Sequence, residues 1–323
     1  MQNAVVFGGA GFIGRTICTA LTEAGWDVIA ADGLIDGTTC DPIRASAIPG
    51  VRLVECVTDT QPDLVGQLIK DSALIVDAMG WTRHLDAMTS PLLDLRLNVA
   101  SHLPLIQAWA RLGEDKPRVI FLGSSHQYGK SAGGEIAEDS KAIPHDVQGV
   151  HKLAAEHHWR IAAESNSGQS VISLRFGNTF GPGMPFGEGD LGLIGGFFSL
   201  AGRAERIAVF GTGRRRNIVY SKDLARVICA LSRKKLADGF HPFNVTGHDV
   251  EVATLARSIV RIVGMGEIMD EPMPDSIRMI EIKDAKLSSA KLRALLGEMP
   301  PTDLDVSLRE TAAAMFDYSG DRT

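Results

Sequence analysis

The sequence predicts an α/β fold, a doubly wound parallel sheet with a smaller C-terminal lobe. Three observations support this: short β-branched runs alternate with longer segments of helical period, a glycine-rich turn follows the first run, and an acidic residue closes the second. Strands are expected at Ala4 to Phe7, Val28 to Ala31, Arg52 to Cys56, Leu74 to Ala78, Val119 to Leu122 and Val171 to Leu174. Each is nearly continuous in apolar character, as a strand covered on both faces must be.

Between them lie helices with one apolar face. The first carries Ile13, Ile17, Ala20, Leu21 and Ala24; a second, after Pro91, carries Leu93, Leu97, Ala100, Leu105 and Ala108. After Arg175 the alternation ends in a loop-rich stretch with Gly177, Gly181, Pro182, Gly183, Pro185, Gly187, Gly189 and Gly192. Strand patterns recur at Ile207 to Phe210 and Ile218 to Tyr220, with Arg214, Arg215 and Arg216 between them. The expected organisation is a nucleotide-binding domain over residues 1–177 with a return segment around 207–245, and a substrate-binding lobe formed by 178–206 and 246–323.

Composition narrows the function classes. The chain has 323 residues, 45% hydrophobic and 22% charged, enough to bury a large core. A formal net charge of -6 offers no global positive field for a nucleic-acid backbone, so no nucleic-acid partner is expected. The longest apolar stretch, Leu191 to Gly202, has twelve residues and four glycines, short of the roughly 20 a membrane span needs, and no membrane association is expected. Met1 to Ala4 runs straight into an apolar strand without a basic leader, which makes the cytoplasm the expected location. Cys18, Cys40, Cys56 and Cys229 show no CxxC spacing and read as free thiols. No metal-ligand spacing is present: His157 and His158 are adjacent on a helix and diverge by about 100 degrees.

The first strand runs into Gly8-Gly9-Ala10-Gly11-Phe12-Ile13-Gly14, a turn that opens a helix. Glycines let the backbone turn sharply and approach a pyrophosphate, whose charge is met by free amides and the helix dipole. Asp32, eighteen residues beyond Gly14 at the end of the second strand, is placed to bind a ribose diol. Together these features predict a Rossmann-type dinucleotide site. The Asp32 carboxylate would repel a 2'-phosphate, and Gly33, Leu34 and Ile35 supply no arginine to hold one, so NAD is expected rather than NADP.

The spacing Gly8-x-x-Gly11-x-x-Gly14 resembles the extended short-chain dehydrogenase/reductase family, which includes UDP-galactose 4-epimerase, sugar-nucleotide 4,6-dehydratases and GDP-fucose synthase. Further segments match in order: Asn98-Val-Ala-Ser, Ser124-Ser-His-Gln-Tyr-Gly129, Arg175 to Gly183, Arg216-Asn-Ile-Val-Tyr220, Asp223-Leu-Ala225 and Leu308-Arg-Glu-Thr311. The resemblance implies that Gly8, Gly11, Phe12, Ile13, Gly14 and Asp32 hold the adenosine diphosphate half of NAD, that Ala78, Gly80 and Asn98 line the cofactor, and that Lys152 grips the nicotinamide ribose. It also implies that Asn178, Arg216 and Arg278 surround the diphosphate of a nucleotide-linked sugar. Guanidiniums suit that group because they stay charged and bind in a fork. An adenine-contacting aspartate common in the family aligns with Cys56 here. A homodimer through the helix after Pro91 and the helix bearing Lys152 is a further expectation of the resemblance.

The family's catalytic Tyr-x-x-x-Lys reads Gln148-Gly-Val-His-Lys152. Spacing of four puts both side chains on one helix face, but a carboxamide has no proton equilibrium near neutral pH and cannot take a hydroxyl proton. Candidates for that work are His126, aligned with the proton-handling glutamate of the dehydratases and cysteine of GDP-fucose synthase, and, less directly, His145 and His151. Ser124 keeps the family's contact to a substrate hydroxyl. The implied activity is an NAD-dependent epimerase or dehydratase acting on a nucleotide-linked sugar, with Ser124, His126, Gln148 and Lys152 at the reacting centre. The alternatives are a catalytically degenerate protein that binds NAD and a sugar nucleotide as a sensor, or an enzyme in which Gln148 orients substrate as a hydrogen-bond donor.

Overall fold

The computed structural model describes residues 2–113, 115–130, 134–165, 168–187, 189, 191–211, 213–280 and 286–316. Its strands, in chain order, are β1 (Asn3–Phe7), β2 (Asp27–Asp32), β3 (Val51–Glu55), β4 (Leu74–Asp77), β5 (Arg118–Leu122), β6 (Glu135–Ile136) and β7 (Ser170–Arg175). There follow β8 (Asn178–Phe180), β9 (Arg206–Phe210), β10 (Arg215–Tyr220), β11 (Gly239–Asn244), β12 (His248–Glu251), β13 (Glu267–Glu271) and β14 (Lys286–Leu287). Seven form one parallel sheet in the order β11-β7-β5-β4-β1-β2-β3. All six strands expected before the loop-rich stretch that follows Arg175 are present in it.

Strand order reverses between β1 and β4, so helices leave on opposite faces there and a crevice opens at the strand ends. Both faces of the sheet are covered. One carries Val6, Val28, Val76 and Ile120 against Ile17 and Leu21 of the helix Phe12–Glu23; the other carries Val5, Phe7, Ile75 and Phe121 near Leu105, Trp109 and Trp159. This is the parity rule of a strand, with alternate residues facing opposite layers.

The helix expected after Pro91 is two helices. Pro91–Asn98 ends at Val99, a 3-10 turn covers Ala100–His102, and Leu103–Ala110 follows. Pro104 sits in the first turn of the second piece, where its missing N–H costs no hydrogen bond. Leu97 and Leu105 are buried as expected, but Leu93 is 43% exposed and Leu92 79%, so the first piece turns leucines outward.

Beyond β7, a three-stranded sheet β12-β10-β8 and a pair β13-β9 form the smaller lobe. Ile207, Val209, Ile218 and Tyr220 share its core with Phe197, Phe198, Leu255 and Leu308. The chain rejoins the large sheet through the helix Ser221–Arg233, which packs on the helix Phe12–Glu23, and through β11 at the sheet edge. Among the described residues, no helix is long and apolar enough to cross a membrane.

Candidate active site

The crevice at the switch point is a continuous cleft. Of the residues singled out from the sequence, Gly8, Gly11, Phe12, Ile13, Gly14, Asp32, Ala78, Gly80, Asn98, Ser124, His126, Gln148, Lys152 and Asn178 line it, whereas Arg216, Arg278, His145 and His151 do not. Arg216, on β10, donates to the Arg215 carbonyl at 2.8 Å; Arg278, on the exposed helix Asp275–Ile280, donates to the Met273 carbonyl at 3.0 Å.

Register sets the nucleotide end. Phe7 pairs with Ala31, so Gly8 and Asp32 emerge side by side, and Gly8 N donates to the Ala31 carbonyl at 2.8 Å. Gly8 has φ +76, and a Cβ on Gly14 would lie 2.0 Å from the Gly8 oxygen, so the turn closes onto the helix start only with glycine at both places. The helix that begins at Phe12 has no side-chain cap from Gly11, and Ile13 and Gly14 of its first turn line the cleft, where their amides suit an anion. Asp32 accepts from Ala10 N at 3.0 Å and Leu34 N at 2.9 Å. Burial raises its pKa while these amides pull it back. A feature the sequence reading missed is Thr39, whose hydroxyl accepts from Phe12 N at 3.3 Å at the same helix start. Cys56 is buried on the cleft wall, and burial pushes its thiol up to about 11, so it stays neutral.

At the other end, the helix Val147–Ser165 delivers Gln148 and Lys152. The Lys152 ammonium donates to the Met79 carbonyl at 3.2 Å and lies 4.8 Å over the Phe121 ring. Burial lowers its pKa to about 8, against the pull of Asp77, Asp94 and Glu156. Gln148 Nε2 donates to the Trp81 carbonyl, which also accepts from Asn98 Nδ2 at 3.0 Å. Asn98 in turn accepts from Trp81 N and donates to Asp94, whose other oxygen binds His151 Nδ1 at 2.5 Å. His151 is thereby held on the far side of this network and does not line the cleft. His145 does not line it either. His157 and His158 are exposed.

His126 does line the cleft. It lies in the short 3-10 turn Ser125–Tyr128 that follows β5, with its amide donating to Ser124 Oγ at 3.1 Å. Its Nδ1 is 2.5 Å from Asp146 Oδ2, and Asp146 Oδ1 accepts from Gly149 N at 2.6 Å at the start of the Gln148 helix. Asp146 is the main functional candidate the sequence reading missed; its signal was an acidic residue at a helix N-cap, three residues before Gly149. Burial alone would raise its pKa, but the imidazoles of His126 and His84 hold it well below the usual carboxylate range. Burial and the neighbouring His84 lower His126 to about 4, against the pull of Asp146. The imidazole is therefore neutral at physiological pH, with its Nδ1 side held by a carboxylate. Among the described residues, no tyrosine stands in for residue 148. Tyr128 bonds Asn244 and Arg175, Tyr220 bonds Glu310, neither lines the cleft, and Tyr318 lies outside the described residues.

The model of the NAD dependent epimerase/dehydratase family matches residues 4–246. The chain belongs to that family. NAD is accordingly its cofactor, and the residues fit: a glycine cradle a Cβ would fill, a helix start whose N-cap glycine offers no side-chain acceptor, Asp32 at the second strand end and Lys152 at the far side. This family member is 31% identical over 219 residues to a UDP-glucose 4-epimerase of Azospirillum brasilense, covering 65% of this chain and 60% of that relative, under two thirds of its length. Its fold matches UDP-glucose 4-epimerase of Thermotoga maritima, solved with UDP-glucose, at TM-score 0.85 and 21% identity over 98% of this chain and 100% of that one. It matches the dTDP-glucose 4,6-dehydratase of Streptomyces venezuelae, solved with NAD and TYD, at TM-score 0.85 and 18% identity over 99% and 98% of the two chains.

Proposed function

We propose that this family member is an enzyme acting on a nucleotide-linked sugar, with His126 moving the proton that the residue at position 148 cannot. The observation that carries the reading is the His126 Nδ1 to Asp146 Oδ2 contact of 2.5 Å on the wall of the cleft between cofactor and substrate sides. NAD, when bound, accepts and returns a hydride at a sugar carbon. Oxidising a carbinol also removes the hydroxyl proton. A neutral imidazole with Asp146 holding its Nδ1–H presents Nε2 as the acceptor, the orienting logic of an acid/base dyad. Ser124 supplies a hydroxyl beside it, Lys152 holds the nicotinamide ribose, and Asn178, from β8 of the smaller lobe, meets the substrate diphosphate. Gln148, tied to the Trp81 carbonyl, orients the cleft wall.

The smaller lobe is read as the substrate-binding side, and the sugar nucleotides bound or named in relatives, UDP-glucose and dTDP-glucose, support a nucleotide-linked sugar as the substrate class. A homodimer is read at the exposed Leu92, Leu95, Val150 and Ile161 of the helices Pro91–Asn98 and Val147–Ser165. Incubating NAD-loaded protein with UDP-, GDP-, CDP- and dTDP-sugars and following products by mass spectrometry and NMR tests the activity. Turnover that depends on His126 supports it. Tight NAD binding in a calorimeter with complete inertness across the panel would favour the second reading, a sensor that kept the cleft and lost the base, which the anchored Gln148 amide motivates.

A further inference from the structure

Asp146 is buried, with its side chain 1% exposed, and among the described residues its ion-pair partners are two imidazoles, His126 and His84. A carboxylate withdrawn from water is stabilised by a cation held at its oxygens. Both rings turn Nδ1 toward the same oxygen, Asp146 Oδ2, at 2.5 Å for His126 and 3.5 Å for His84. The two rings lie 4.0 Å apart, centroid to centroid. His84 Nδ1 is buried and makes no hydrogen bond, its nearest ion-pair partner being Asp146 Oδ2 at 3.5 Å, so a ring nitrogen stands beside the carboxylate without a close partner.

We propose that His84, His126 and Asp146 form a binding site for a divalent first-row transition ion of the Zn2+ class, opening onto the active-site cleft. One ligand atom from each residue lies within 4.8 Å of the others. Ligands bonded to a tetrahedral zinc at about 2.1 Å stand about 3.4 Å apart. The His84 to Asp146 separation already meets that spacing, and the His126 to Asp146 contact has to widen by roughly 0.9 Å, within reach of a side-chain torsion. Two imidazoles and one carboxylate select a borderline ion over Ca2+ or Mg2+, which take oxygen shells. Three protein ligands leave a coordination position for solvent or substrate, and His84 and His126 both line the cleft. The sequence hides the site because its ligands are far apart in the chain, brought together by the turn after β5, the helix His84–Thr89 and the start of the helix Val147–Ser165.

Metal on His126 Nδ1 requires the single proton of the neutral ring to move from Nδ1 to Nε2, which then cannot accept another. Occupancy and the proton-acceptor role of His126 are mutually exclusive, but binding is read on the resting protein without substrate, so its outcome is separate from that of the proposed activity. The test is to strip full-length protein with a chelator, titrate it with Co2+ and with Zn2+, and read stoichiometry by elemental analysis and the Co2+ visible absorption band. One ion per chain is expected, with binding weakened at least tenfold in His84→Gln and in His126→Gln and retained in the exposed-site control His157→Gln. Asp146→Asn, which keeps an acceptor for Gly149, is read alongside after circular dichroism shows each variant folded. No stoichiometric uptake, or uptake unchanged in folded His84→Gln, overturns the site.

Discussion

The carboxamides of Gln148 and Asn98 donate to one acceptor, the Trp81 carbonyl oxygen. Both lone pairs of that oxygen are engaged, and Gln148 is held as part of the cleft wall rather than as a mobile donor. Replacing it removes one of two bonds to the carbonyl and leaves the other. Gln148→Met is therefore expected to lower stability by about 1 kcal/mol, read as a shift of the urea midpoint at unchanged slope. A loss near that of an orphaned buried carbonyl, about 3 kcal/mol, would mean that Asn98 does not hold the oxygen alone.

Lys152 sets a pH limit on cofactor affinity. Its folded pKa is lowered to about 8 by burial, below the ordinary lysine value. The ammonium is present below pH 8 and is lost as pH rises through it. NAD affinity is expected to be flat from pH 6 to 7.5 and to fall above 8, while the same titration works the other way on the apoprotein, since the unfolded chain binds the extra proton between about 8 and 10.4. Calorimetry across this range checks it, with Lys152→Arg expected to move the decline to higher pH.

Gly14→Ala tests the phosphate turn. The added Cβ would lie 2.0 Å from the Gly8 carbonyl oxygen, so the helix start must move away from the turn. NAD affinity is expected to fall at least tenfold, about 1.4 kcal/mol. Wild-type affinity in a folded variant would mean that the cofactor is held elsewhere.

Arg175 of β7 and Glu156 of the site helix form a buried, doubly bonded ion pair, at 2.9 Å and 2.5 Å, with Ser173 also donating to Glu156 at 2.6 Å. Truncating one partner strands the other charge. Glu156→Ala is expected to cost about 3 to 5 kcal/mol in chemical denaturation, and a cost under about 1 kcal/mol would show that water reaches Arg175.

Much of the fold was legible because its signals are local. Strand and helix periods, the glycine turn and Asp32 lie in contiguous stretches whose chemistry is readable without neighbours. The seventh sheet strand, Gly239–Asn244, was not read as a strand: it contains His241 and Pro242, breaks the apolar pattern, and is tolerated because it lies at the sheet edge. The split after Pro91 was hidden by an apolar pattern that continues across Val99. In the site, His126 was found from its motif position, whereas His84 carries no local signal of its role. Asp146 reads as a helix cap until the fold brings it against a histidine twenty residues earlier.

The central claim is that His126, held by Asp146, does the proton transfer denied to Gln148. The most direct measurement is kcat of NAD-loaded His126→Ala against wild type and Gln148→Met on whichever sugar nucleotide the panel turns over. The account predicts a fall of about 10² to 10⁴ for His126→Ala and a far smaller one for Gln148→Met. A His126→Ala enzyme that still folds, binds NAD and turns over at the wild-type rate would contradict it.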